Sequence, residues 1–161
     1  MAETSTKTSI SNSKVTTVAT NFSVSYIRVS TKAQTGEDKS GADRQKQDYL
    51  NWLRDHPIYK NLDGFEFKDL GVSGRGKNSE IGALSLLIKV AEKGEIPRGT
   101  CVVVENWSRL TRSRAREATK LLNKILDSGL ELAFVQLGGN PFNGTDDGFM
   151  VSILRCKHGC S

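Results

Sequence analysis

Two hydrophobic rhythms take turns along this chain. The stretch "FSVSYIRV", residues 22–29, carries the branched and aromatic residues of a strand. A polar segment follows over 31–39, and then "SGADRQKQDYLNWLRDH" reads as a helix. Ser40 with Asp43 three residues on resembles a capping box. Tyr49, Leu50 and Leu53 fit one face with Trp52 at its edge, and His56-Pro57 ends the run. "GFEFKDLGVSG" alternates Phe65 and Phe67, so a second strand leads into a glycine-rich turn.

"EIGALSLLIKVAEKG" returns to the helical rhythm, with Ile81, Leu84, Leu87, Ile88 and Ala91 at spacings of three and four and Gly94 as its C-terminal stop. "TCVVVEN" is a short continuous apolar run, as in a strand covered on both faces. "SRLTRSRAREATKLLNKILDSG" is helical in its second half, from Ala118, Leu121, Leu122, Ile125 and Leu126. "LELAFVQL" is a fourth strand, "GGNPFNGTDDG" a loop, and "FMVSILRC" the start of another helix. Residues 1–21 are rich in Ser and Thr without apolar period and predict a disordered tail.

Strands alternating with helices predict an α/β fold, with a mainly parallel sheet of four to five strands flanked by helices. In such sheets ligands gather outside the carboxyl ends of the strands. That rule selects Arg28, Ser30 and Gln34 after the first strand, Asp69, Ser73 and Lys77 after the second, and Ser108, Arg109 and Arg112 after the third.

Composition adds little to this picture. A length of 161 residues suits one domain with an appendage, and 37% hydrophobic content can supply its core. The net charge of +5 leans toward an anionic partner. Three cysteines, Cys101, Cys156 and Cys160, have no framework spacing and point to a reducing compartment. No run approaches the roughly 18 apolar residues of a membrane helix, and the N-terminus lacks the apolar core of a signal peptide. The expectation is a cytoplasmic protein, with no membrane partner.

The gathered residues suggest chemistry. Arg28 and Ser30 lie two apart and share a strand face. Arg109 and Arg112 lie three apart and share a face if a helix begins near them. Three arginines around one serine repel one another unless an anion joins them, and their planar forks match phosphate oxygens. Serine usually needs a histidine, but the chain has only His56 and His158. Positive charge can stand in for it by favouring the Ser30 alkoxide and the more anionic transition state. On pattern alone, a strand-end serine also serves to cap a turn, and basic residues near a helix start also serve to face solvent.

Other motifs compete. "GVSGRGKN", residues 71–78, matches the phosphate loop of nucleotide hydrolases, and "CVVVE" could carry its acidic metal ligand. But position 78 is Asn where a Ser or Thr must reach the metal, and Lys68 and Asp69 interrupt the preceding strand. "CKHGCS" sets Cys156, His158 and Cys160 together, yet a structural zinc needs four ligands. Asp146 and Asp147 suit a helix cap better than a metal. No G-x-S-x-G elbow is present, so an ordinary serine hydrolase is disfavoured. Trp52, Trp107 and Cys101 read as packing residues.

"YIRVST", Gln34, "SGADRQ", "KDLGVSG" and "VVVENWSRLTRS" occur in the order and spacing of the serine recombinases, the resolvase–invertase family. The resemblance covers residues 22–137, and "GKN…GAL" is more similar to the large phage-type integrases than to the small resolvases. It implies a resolvase-like catalytic domain over 22–147. By this resemblance Ser30 attacks a DNA phosphodiester and becomes linked to the 5′ end. Arg28, Arg109 and Arg112 hold the scissile phosphate, with Gln34 and Gln45 as further site residues. Asp69, Ser108 and Lys77 are supporting positions, and the segment around Asp69 replaces the phosphate-loop reading. The family implies DNA as partner, self-association to a dimer and a synaptic tetramer, a bacterial or phage origin, and neither metal nor other cofactor.

Two departures stand out. The family commonly has Asp where this chain has Ser108, and an arginine that small resolvases carry after the S-G segment has no clear match, with Arg75, Lys77 or Ser79 near its place. A catalytically degenerate module that keeps the fold and oligomerises is therefore the second reading, and a phosphate-loop hydrolase the third. The family also continues into a long helix and a DNA-binding domain. The expectation is that 148–161 begins that helix, truncated, and that the DNA-binding domain is absent.

Overall fold

The computed structural model describes residues 21–29, 39–70, 82–111 and 114–145. Strand β1 (Asn21–Val29) is followed by helix α1 (Lys39–Asp55), strands β2 (Tyr59–Asn61) and β3 (Phe67–Leu70), and helix α2 (Ala83–Glu92). Strand β4 (Cys101–Val104), the one-turn helix α3 (Trp107–Leu110), helix α4 (Ala115–Asp127) and strand β5 (Glu131–Phe134) complete the order, with a 3₁₀ turn over Val135–Leu137.

The sheet is the parallel one that the alternation predicts, with five strands. β1 is its centre. β2 pairs its first residues, from Asn21 against Tyr59 to Ser23 against Asn61, and β3 pairs its second half, with Arg28 opposite Asp69. β4 pairs Ser23–Ser25, and β5 pairs all four residues of β4. An isolated antiparallel bridge joins Leu132 to Phe142, so the loop after β5 folds back on it.

Period-two alternation sends the sheet's side chains to two cores. Val24, Tyr26, Val102, Val104, Leu132 and Phe134 meet α2 and α4 through Leu84, Leu87, Ile88, Leu122 and Ile125. Cys101, Val103 and Ala133 meet Tyr49 and Trp52 of α1. β4 is buried at every position, as a strand covered on both faces must be. Side chains such as Leu122 and Ile125, fully enclosed, each contribute about 1.5–3 kcal/mol by burial.

Several details differ from the sequence reading. Asn21, expected in the tail, belongs to β1; residues 1–20, the rest of the expected tail, lie outside the described residues. β2 was not expected. It has three residues, of which only Tyr59 is buried, too short to show a period. β3 begins at Phe67, and the expected fourth strand ends at Phe134 in a 3₁₀ turn. Ser40 falls inside α1 rather than at its cap. The buried stripe of α1 runs through Gln45, Tyr49 and Trp52, whereas Leu50 is 45% exposed. Gly94 does follow α2 with φ of 77°, the left-handed conformation of a helix stop.

Trp52 and Cys101 are packing residues. Trp52 donates its indole N–H to the Gly139 carbonyl at 2.6 Å, and a Cβ at Gly139 would stand 2.9 Å from its ring. Cys101 is fully enclosed, and burial pushes its thiol well above the ordinary range. Trp107 packs against Phe134. The pairs Asp146 and Asp147, the Cys156–His158–Cys160 cluster and the expected helix from 149 lie outside the described residues. No helix among the described residues is long and apolar enough to cross a membrane.

Candidate active site

Arg28 is the penultimate residue of β1, at its carboxyl end. The ladder with β4 stops at Ser25, three residues before it. Gln45 of α1 supplies what the ladder no longer does. Its Oε1 accepts from the Arg28 N–H at 3.3 Å, and its Nε2 donates to the Arg28 carbonyl at 3.2 Å and to the Gly41 carbonyl at 3.2 Å. Gln45 is only 4% exposed. It acts on the main chain of the first arginine.

The Arg28 guanidinium donates through Nη2 to the carbonyl of Ser108 in α3. That contact ties the end of β1 to the segment after β4, 80 residues away in sequence. α3 owes its position to Asn106, whose Oδ1 accepts from the Arg109 N–H at 3.2 Å and from the Ser108 hydroxyl at 2.5 Å. Asparagine in an extended conformation before the first turn is a favoured helix cap.

Arg109, the third residue of this turn, is 25% exposed and donates from Nε to Glu105 Oε2 at 2.7 Å. Glu105 Oε1 accepts from Nη2 of Arg44 in α1 at 2.6 Å. Glu105 itself is buried, its side chain 3% exposed. A carboxylate so enclosed is tolerable because both oxygens meet guanidinium donors. This also disposes of Glu105 as the acidic metal ligand of a nucleotide site.

Asp69 has a supporting role. Its Oδ2 accepts from the Tyr26 hydroxyl at 2.6 Å, and its Oδ1 accepts from the Ala83 N–H at 2.9 Å, at the start of α2. Burial, then this hydrogen bond, drive the Tyr26 phenol far above its usual range.

The structure thus brings together Arg28, Gln45, Ser108 and Arg109, with Asp69 on the strand beside Arg28. Ser30, Gln34, Ser73, Lys77 and Arg112 lie outside the described residues, as do Arg75, Ser79 and the phosphate-loop motif. The expected helical face shared by Arg109 and Arg112 is corrected: α3 ends at Leu110, and Thr111 is extended with φ of −158°. Sequence reasoning missed Arg44 and Glu105 as site residues. The only signals were an acid closing an apolar strand and a basic residue just before Gln45, neither of which points to the other across 61 positions.

A family model for the N-terminal domain of resolvases matches residues 23–156. The uncharacterized protein YbcK of Escherichia coli strain K12 is 34% identical over 110 residues, which is 68% of this chain and 21% of YbcK. The chain therefore spans about a fifth of that relative's length. The N-terminal catalytic domain of TP901-1 integrase is similar with a TM-score of 0.59 and 18% identity, over 86% of this chain and 94% of that one. The C-terminal catalytic domain of ISC1926 TnpA, an IS607-like serine recombinase, reaches a TM-score of 0.49 at 20% identity, over 84% and 77% of the two chains. The integrase likeness is one of fold; the family match, which takes in the Arg28, Gln45 and Arg109 constellation, establishes that the chain belongs to the resolvase N-terminal domain family of serine recombinases.

Proposed function

We propose that the chain is the catalytic domain of a site-specific DNA recombinase that cuts and rejoins strands through a 5′-phosphoserine intermediate. The observation that carries this reading is the contact of the Arg28 guanidinium with the Ser108 carbonyl, one residue before Arg109, with Arg28 fixed through its main chain by Gln45 and Arg109 through Nε by Glu105. Ser30 follows that strand end by one residue. Two guanidinia held near the end of the strand that Ser30 follows in sequence suit an anionic phosphoryl transition state.

In this mechanism the Ser30 Oγ forms a bond to phosphorus as the P–O3′ bond breaks. The hydroxyl proton leaves Ser30, and the departing O3′ gains one to become a free 3′-OH. The DNA 5′ phosphate stays on the serine. Reversal with the 3′-OH of another strand reseals the backbone, so the phosphoserine ester conserves the bond and no nucleotide is consumed. Arg28 and Arg109 hold the non-bridging oxygens, and Arg112 completes the clamp. DNA is the substrate, and exchange of partners requires self-association into a synaptic complex.

A degenerate module of the same fold is the second reading. It is favoured by Ser108, whose hydroxyl donates to Asn106 at a position where the family commonly places an acid. One experiment separates the two. A suicide DNA substrate, nicked so that the 3′-OH diffuses away, is incubated with the complete protein carrying this chain. A covalent adduct mapped by peptide mass to Ser30 supports the enzyme, whereas no adduct supports the module.

A further inference from the structure

We infer that Glu105 and Arg44 form a positioning pair that sets the fork of Arg109 toward the scissile phosphate, an inference that rests on the recombinase reading above. A guanidinium is planar and presents Nε on one side and two terminal nitrogens on the other. Glu105 holds Nε of Arg109 at 2.7 Å. That contact fixes the plane and leaves the terminal nitrogens as the bidentate fork for an anion. Glu105 is held in turn by Arg44 at 2.6 Å.

The carboxylate subtracts positive charge from a site built for an anion. Its benefit to catalysis is therefore geometric: a donor already oriented needs no reorganisation when the transition state forms. Arg44 connects this brace to α1, next to Gln45, which grips the main chain of Arg28. Two adjacent residues of one helix thus orient both arginines. Arg44 is 57% exposed, so its loss leaves no buried cavity, while Glu105 is buried.

The test combines a spectroscopic signal with cleavage. The Nε–H resonance of Arg109 is followed by nuclear magnetic resonance in the present chain and assigned by its loss in Arg109→Lys. Adduct formation on a suicide DNA substrate is followed in the complete protein. The wild type is expected to show a slowly exchanging Arg109 Nε–H. In Glu105→Gln that proton exchanges faster, and the rate of adduct formation falls about 10- to 100-fold, while DNA affinity changes less than about threefold. Arg44→Ala, which leaves Glu105 Oε1 without its guanidinium, lowers the melting temperature, and at a temperature where the variant is still folded it lowers the rate about 3- to 10-fold. Faster Nε–H exchange with an unchanged cleavage rate overturns the inference, as does an unprotected Nε–H in the wild type. A protected Nε–H in a wild type that forms no adduct overturns the recombinase reading, and leaves Glu105 as a structural ion pair.

Discussion

The side-chain amide of Gln45 grips the main chain of Arg28 at both its polar atoms, accepting from the N–H at 3.3 Å and donating to the carbonyl at 3.2 Å. It does so where β1 has outrun its pairing with β4. The polar groups of Arg28 are thereby satisfied on the edge that β4 has left, while β3 runs along the other edge, and α1 is fastened to the main chain of the first site arginine.

Gln45→Ala removes three hydrogen bonds from a buried position, including one to Gly41. The cost is expected at about 1–3 kcal/mol, from backbone groups left without partners. Gln45→Glu keeps an acceptor but loses both donations and buries a charge, so it should cost at least as much. Urea unfolding of the chain reads both values. Midpoints equal to the wild type in both variants would mean that water replaces the clamp.

All three tyrosines are held neutral. Burial is the main cause in each: Tyr49 is pushed up to about 12, and Tyr26 and Tyr59 go higher, with added push from the Asp69 and Glu131 carboxylates they donate to. The unfolded chain ionises its phenols near pH 10. The folded state therefore binds more protons above that pH, and its stability is complete below about pH 10 and declines as pH rises toward the folded values. Phenolate absorbance should stay nearly flat up to about pH 11 and then rise for all three residues together with loss of far-ultraviolet dichroism. A separate noncooperative phenolate step near pH 10 with the fold intact would contradict this.

Much of the fold can be read from the sequence because burial leaves a period. The stripe of Leu84, Leu87, Ile88 and Ala91 and the apolar run of β4 are where the pattern puts them. The failures share a cause: their residues act through polar atoms or through partners far away. Gln45 sits on the buried stripe of α1 although glutamine reads as a surface residue, while Leu50, which reads as core, is half exposed. β2 is held by its register with Asn21–Ser23, which no local period records. Of the site, Arg28 and Arg109 follow from the strand-end rule, but Glu105 follows only from seeing which arginines surround it.

Arginine and lysine should not be interchangeable at position 109. In the proposed clamp the side chain meets Glu105 through Nε and an anion through its remaining nitrogens. A lysine has one ammonium and must choose. Arg109→Ala is expected to lower the rate of DNA cleavage by the complete protein by about 10²-fold or more, as for a lost transition-state donor, and Arg109→Lys to recover little of it. The check is the single-turnover rate on a suicide substrate. Wild-type activity in the lysine variant would show that charge alone is used.

Ser30 should be dispensable for folding and indispensable for chemistry. It follows β1, whose core contacts are made by Val24, Tyr26 and Ile27, so Ser30→Ala is expected to shift stability by about 0.5 kcal/mol or less, as for substitutions outside a core. Strand cleavage should nevertheless disappear. Ser108 is a rival hydroxyl at this edge, and its Oγ is already committed to Asn106 at 2.5 Å, with its own carbonyl engaged by Arg28. His56, the histidine among the described residues, stacks on Trp52 on the α1 side of the sheet. In the proposed mechanism the arginines themselves activate the attacking hydroxyl. Unfolding curves of Ser30→Ala should overlay those of the wild type, and the complete protein carrying it should leave a suicide substrate intact. Cleavage that persists, or an adduct mapped to Ser73, Ser108 or a tyrosine, would assign the nucleophile elsewhere.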